Sequence, residues 1–164
     1  YRFASCPICN LHVRELVTRS NELSAAGLTT VLFYHSPAPL IERKVRSQVP
    51  FDLVSDPAKV IFREYGVESS WRAMLSIRVW RKYMRAMIAG FITRPVGHEG
   101  GMTGHPADFL IDAEGIVRYA HYGTDYADSI SADEALKAAS ELGLATRMAS
   151  PASEPAAVGG RATF

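Results

Sequence analysis

The sequence predicts an α/β domain assembled from βαβ units. Three observations carry that reading. Short apolar, β-branched runs alternate with segments of helical periodicity from residue 1 to Gly66. A Cys-x-x-Cys pair, Cys6 and Cys9, stands where the first extended run gives way to the first helix. A tight hairpin and one more helix then close the pattern between residues 105 and 143. The length of 164 residues is that of one domain, and 48% apolar with 21% charged residues is the balance of a chain with a real core. Lys and Arg total 18 against 17 Asp and Glu, which excludes a strongly basic nucleic-acid binder or an acidic solvating chain as an overall character. No apolar run approaches the roughly 18 residues of a membrane-spanning helix.

Each element has its own signal. Tyr1-Arg2-Phe3 reads as the tail of a strand that enters from outside the sequence given. From Pro7 to about Ala26 the apolar positions Cys9, Val13, Leu16, Val17 and Leu23 recur near helical spacing. Pro7 suits a first helical position, where its missing N–H costs nothing, and Gly27 supplies the stop. Leu28 to His35 is nearly continuous in apolar and β-branched residues, the pattern of a buried strand ended by Ser36-Pro37-Ala38-Pro39. A short charged helix over Leu40–Ser47, a strand over Phe51–Val54 and a helix over Ala58–Tyr65 stopped by Gly66 follow. Trp71 to about Phe91 is a longer helix, and Arg94–Gly104 a loop with four glycines. Asp108–Asp112 and Ile116–Tyr122, joined at Ala113-Glu114-Gly115, predict a β-hairpin, and Asp133–Leu142 a last helix closed by Gly143. Residues 1–143 thus form one domain, with 68–104 as an insertion and 149–164, rich in Ala, Pro, Ser and Gly, as a disordered tail.

The chemistry is concentrated in Cys6-Pro7-Ile8-Cys9. A thiolate is the reactive form of cysteine, and an ordinary thiol titrates only around 8.5. A sulfur at a helix N-terminus faces unpaired backbone N–H groups and the positive end of the helix dipole, both of which favour the anion. A second cysteine one turn on lies close enough to attack a mixed disulfide formed at the first. Cys6 is then the attacking sulfur and Cys9 the resolving one. The plainer alternatives are two reduced cysteines packed in a core, or a zinc site in which Cys6, Cys9 and His12 join a distant His35. Three ligands on one helix converge poorly for zinc, and no metal is expected. The cysteine usage suits a reducing cytoplasm rather than a secreted disulfide scaffold.

His105-Pro106, placed just before a strand, is a candidate cis peptide that would set the backbone of His105 beside Cys6 to pair with an extended substrate. The alternative is an ordinary proline at the start of a strand.

Together these segments, Tyr-Arg-Phe-Ala-Ser-Cys-Pro-Ile-Cys-Asn-Leu-His and Pro-Ala-Asp-Phe-Leu-Ile-Asp-Ala-Glu-Gly-Ile-Val, resemble the alkyl hydroperoxide reductase/thiol-specific antioxidant (redoxin) group. Within it the sequence is most similar to the peroxiredoxin-like CxxC branch related to selenoprotein L. The resemblance covers residues 1 to about 143. It implies a thioredoxin-like fold with a central mixed sheet flanked by helices, its first strand truncated here to Tyr1-Arg2-Phe3. It also implies Cys6 and Cys9 as the redox pair, Pro106 as a cis-proline facing them, no cofactor, and an external reductant such as thioredoxin or a small thiol. Two departures from the family pattern bear on substrate. Phe3 stands where typical members carry a Thr or Ser that holds the peroxide, and no arginine matches the peroxide-activating one. Reduction of a disulfide is therefore the first expectation, with a peroxide reduced through Cys6 as the alternative.

A reading of another class rests on Trp71–Arg94, which carries Arg72, Arg78, Arg81, Lys82, Arg85 and Arg94 and no acid. Met74, Ile77, Trp80, Met84, Met87, Ile88 and Phe91 form an apolar stripe in steps of three and four. Such a helix can make a non-catalytic binding module facing an anionic membrane or an acidic partner. The more ordinary expectation is that the stripe packs on the protein's own sheet, or pairs two copies into a homodimer, with the basic face solvated. The loop Gly97–Gly104 lacks the residues of a phosphate loop and reads as a lid or hinge. His12, His35 and His121 are expected in surface or packing roles, and Asp108 and Asp112 as boundaries of the hairpin.

Overall fold

The computed structural model describes residues 1–67, 77–90 and 105–144. Alternating strand and helix order is what it shows. Helix α1 (Pro7–Thr18) and a short α2 (Ser20–Ala25) take the place of the single helix expected to Ala26, with the break at Arg19. Gly27, at φ +78°, ends α2 in the left-handed region where glycine carries no Cβ penalty. Strand β1 (Val31–Tyr34) is shorter than the apolar run that predicted it. Helix α3 (Ala38–Lys44) continues into a 3-10 turn at Arg46–Gln48, and β2 (Asp52–Ser55) leads to α4 (Val60–Glu64). Helix α5 (Ile77–Ile88) precedes the hairpin β3 (Ala107–Ile111) and β4 (Val117–Tyr122), and α6 (Ala132–Glu141) is last among the described elements. The expected extensions of α5 to Trp71 and Phe91, the glycine loop 97–104 and the tail 149–164 lie outside the described residues.

The sheet departs from expectation. Among the described residues, in place of one central mixed sheet there are two ladders of two strands each: β1 and β2 run parallel, with Val31 opposite Asp52, and β3 and β4 run antiparallel, with Ala107 opposite Tyr122. Residues 1–3 join neither ladder as a strand. They lie along β1 through two bonds, Tyr1 N–H to Phe33 O at 2.7 Å and His35 N–H to Arg2 O at 3.1 Å. Beyond Tyr1 a cavity of about 440 Å³ separates β1 from β3, lined among others by Leu32, Phe33, Phe62, Phe109 and Leu110.

The hairpin turn is fixed by Asp112, whose carboxylate accepts from the N–H of Glu114 and Ile116 and pairs with Arg118 Nε at 2.6 Å. Gly115 turns at φ +81°. Thus Asp112 bounds the hairpin as expected. Ser131 caps α6 in a reciprocal box with Glu134, a Ser-x-x-Glu signal visible in the sequence. The His105–Pro106 bond is trans, not cis, since no described peptide bond is cis. Trans is the ordinary isomer of an X–Pro bond, and in it Pro106 O accepts from Gly123 N–H at 2.9 Å across the base of the hairpin.

Gly123 sits too close to its neighbours to carry a side chain. An added Cβ would lie 2.4 Å from Asp128 O and 2.7 Å from Pro106 Cγ. Gly123→Ala should therefore destabilise the fold by about 1–3 kcal/mol, the usual cost of overpacking, measured as a lowered midpoint in urea unfolding. An unchanged midpoint would show that the hairpin base relaxes freely.

Candidate active site

The turn Phe3–Cys6 delivers the cysteines to the head of α1. Cys6 N–H donates to Phe3 O at 3.0 Å, Ala4 N–H to Ser36 Oγ at 2.9 Å, and Asn10 Nδ2 to Ala4 O at 3.1 Å. Ser36 O in turn accepts from Ser55 Oγ at 2.8 Å, so the turn is tied to the ends of both β1 and β2. Cys6 is the N-cap of α1 and Pro7 follows it at the start of the helix, as predicted. The Cys6 side chain does what a capping Ser or Asp oxygen would do: Sγ accepts from Cys9 N–H at 3.4 Å.

A second donor to that sulfur has no signature in the sequence. Arg2 reaches back over the turn, and its Nη2 lies 3.1 Å from Cys6 Sγ. Its guanidinium stands 4.0 Å from the centre of the Tyr126 ring and 5.4 Å from that of Phe3, so the cation is buried between aromatic faces and a sulfur. Both cysteines are free thiols, Cys6 with none of its surface exposed and Cys9 with 5%. They share a cluster with Ile8, Val79, Tyr126 and Ala127, against which Tyr1, Phe3 and Tyr83 also pack. Lys82 Nζ from α5 donates to Ala127 O, holding the helix to the loop that carries Tyr126.

The two thiols ionise as a pair. Burial pushes Cys6 well above its ordinary value, and the hydrogen bond and charge of Cys9 push the same way. Burial also opposes ionisation of Cys9, but the hydrogen bond from Cys6 and the charge of Arg2 outweigh it and bring Cys9 down to about 5. These are properties of one dyad, whose first proton leaves easily and whose second is retained. When the remaining proton rests on Cys9, Cys6 is a thiolate facing Arg2 and the Cys9 N–H. Such a dithiol can attack a divalent sulfur or a peroxide oxygen and close on itself as a disulfide.

The other expected residues are placed as follows. His105 is held by its side chain at the base of the hairpin. Its Nδ1–H donates to Gly123 O at 2.6 Å, and its ring meets that of Tyr126 edge-on at 6.1 Å. Pro106 packs on Gly123. His105 therefore reaches the dithiol through Tyr126, whose ring also meets Arg2. His12 is buried one turn beyond Cys9 with both nitrogens engaged: Nε2–H donates to Ile130 O and Nδ1 shares a hydrogen bond with Tyr1 OH, each at 2.7 Å. Among the described residues no group of three or more His, Cys, Asp or Glu converges. His35 is fully buried and meets Phe3 and Phe62 edge-on. Asp108 is half-buried and lies within β3 rather than merely bounding the strand. Burial raises its pKa, and its Oδ2 accepts from Ile130 N–H at 3.1 Å.

No curated protein and no solved structure gives a match to this sequence. One family does: the AhpC/TSA family model matches residues 1–120. That span holds the dithiol turn, α1, both ladders through most of β4, and α5. By that match the chain belongs to the AhpC/TSA family, whose members are typically thiol-dependent redox enzymes.

Proposed function

We propose that this protein is a thiol–disulfide oxidoreductase of the CxxC kind, cycling between a Cys6/Cys9 dithiol and a Cys6–Cys9 disulfide. The observation that carries the reading is Cys6 Sγ at the cap of α1, accepting at once from Cys9 N–H and from the buried Arg2. Two donors aimed at one sulfur stabilise its anion, and the mate one turn on is placed to displace a substrate sulfur once that is bonded to it. In the cycle, the Cys6 thiolate attacks one sulfur of a substrate disulfide, forming a mixed disulfide and expelling the other sulfur as a thiolate. The Cys9 sulfur then attacks Cys6, gives up its proton, and releases the second substrate thiolate. Two electrons pass to the substrate, and an external dithiol such as thioredoxin, or two small thiols, returns them.

Arg2 also favours a second reading. A cation 3.1 Å from the sulfur can stabilise the alkoxide that leaves when Cys6 attacks a peroxide, taking one oxygen as a sulfenic acid. Cys9 then condenses with that acid and releases water. Phe3, where a hydroxyl would grip the peroxide, weighs for the disulfide.

Because the first ionisation lies near 5 and an ordinary thiol near 8.5, thiolate absorbance at 240 nm should grow as pH rises through about 5 and vanish below it. Arg2→Gln should move that midpoint up, since the cation favours the anion, while Arg2→Lys should hold most of the shift. A wild-type midpoint in the ordinary range would remove the activated dyad.

Roles within the pair are separable by trapping. Cys9→Ser should accumulate a stable mixed disulfide with a small aromatic disulfide, and Cys6→Ser should not. Trapping by Cys6→Ser alone would reverse the assignment. Rates of wild-type protein with a model disulfide and with hydrogen peroxide, compared at one pH, decide between the two substrates.

A further inference from the structure

Helix α5 uses little of its apolar surface on the protein itself. At 3.6 residues per turn, Val79, Tyr83 and Ala86 share one face, and that face is docked: Val79 and Ala86 are buried, and Val79 and Tyr83 pack in the dithiol cluster. The stripe expected to pack on the sheet is a different one. Ile77, Trp80, Met84, Met87 and Ile88 are 75%, 60%, 52%, 42% and 83% exposed. They occupy roughly a further 100° of the helix circumference beside the docked face. Exposed Arg81 and Arg85 border the stripe on its other side. The twelve residues of α5 carry four cations, Arg78, Arg81, Lys82 and Arg85, and no acid.

We propose that this outer stripe of α5 lays the protein on an anionic membrane surface. Five large apolar side chains, one of them Trp, are too many for a solvated helix face, and the flanking cations give their partner a sign. The stripe is a convex ridge, which a fluid lipid interface accommodates without a complementary groove. A second copy fits it poorly, because two α5 helices packed antiparallel would set Arg81 and Arg85 of each against those of the other. No described helix is long and apolar enough to cross a bilayer, so the contact is in-plane. Since the inner face of α5 lies on the cysteine cluster, the ridge would hold the dithiol about one helix diameter, 10–12 Å, from the lipid.

The test is co-sedimentation of the full chain with vesicles of 30% phosphatidylserine in phosphatidylcholine, and with pure phosphatidylcholine. Binding should be confined to the anionic vesicles and fall as salt rises, by about fivefold for each cation whose attraction to the surface is screened. Trp80→Glu with Ile88→Glu should lower it at least about tenfold. Arg14→Glu on α1, an exposed charge reversal away from the stripe, should leave most of it. Absence of binding to the anionic vesicles overturns the proposal, as does binding that the double variant leaves intact. Two further results also overturn it: a dimer in sedimentation velocity that the double variant abolishes, or retention on polyglutamate without binding to vesicles, which would assign the ridge to an acidic protein. None of these readouts depends on whether the cysteines turn over.

Discussion

A buried guanidinium beside a buried dithiol sets the terms for this fold. Moving either charge out of water is costly, and each is tolerable only because the other is there. The surroundings are arranged around that pair. Tyr126 and Phe3 give the cation its aromatic faces, the cap of α1 gives the sulfur its N–H, and Ser36 ties the intervening turn to both strands of the parallel ladder. Even the hairpin contributes, since His105 at its base supports Tyr126. Residues from the start of the chain, from α5 and from the loop after β4 are thus organised by one electrostatic requirement.

What the sequence disclosed were features whose cause is local. Cys6 before Pro7 fixes the head of α1, a positive-φ glycine ends α2, and Asp112 with Gly115 closes the hairpin; each acts over a few residues, so spacing alone reveals it. The capping box at Ser131 and Glu134 was equally local and could have been read. Arg2 could not. Four residues before Cys6 it is one basic side chain among many, and only the approach of Tyr126, from the far end of the domain, turns it inward. Helix α5 shows the same limit in another form. Its periodicity announced a helix, but its apolar arc is wide enough to hold two faces, and only contact with α1 chooses which is covered. Among the described residues the two ladders are not joined into a single sheet, and residues 1–3 lie along β1 through bonds to Phe33 and His35 without forming a strand.

His12 illustrates how a residue expected merely to pack becomes a polar joint. A carbonyl can only accept, so Nε2–H donates to Ile130 O, and Nδ1 shares a hydrogen bond with Tyr1 OH. The ring joins α1 to the segment before α6, and Asp108 meets the same residue, Ile130, through its N–H. Tyr1, His12, Ile130 and Asp108 are thus joined in one chain of hydrogen bonds.

The complete enclosure of Cys6 has a consequence for selectivity. A dithiol that gives up its first proton near 5, if open to solvent, would be consumed by any passing electrophile. Walled in by Ile8, Val79, Tyr126 and Ala127, it meets only reagents that can displace part of that wall. Discrimination then depends on admission rather than on intrinsic nucleophilicity. The side chains that decide what reacts include ones, on α5 and in the loop at Tyr126, that touch no reacting atom.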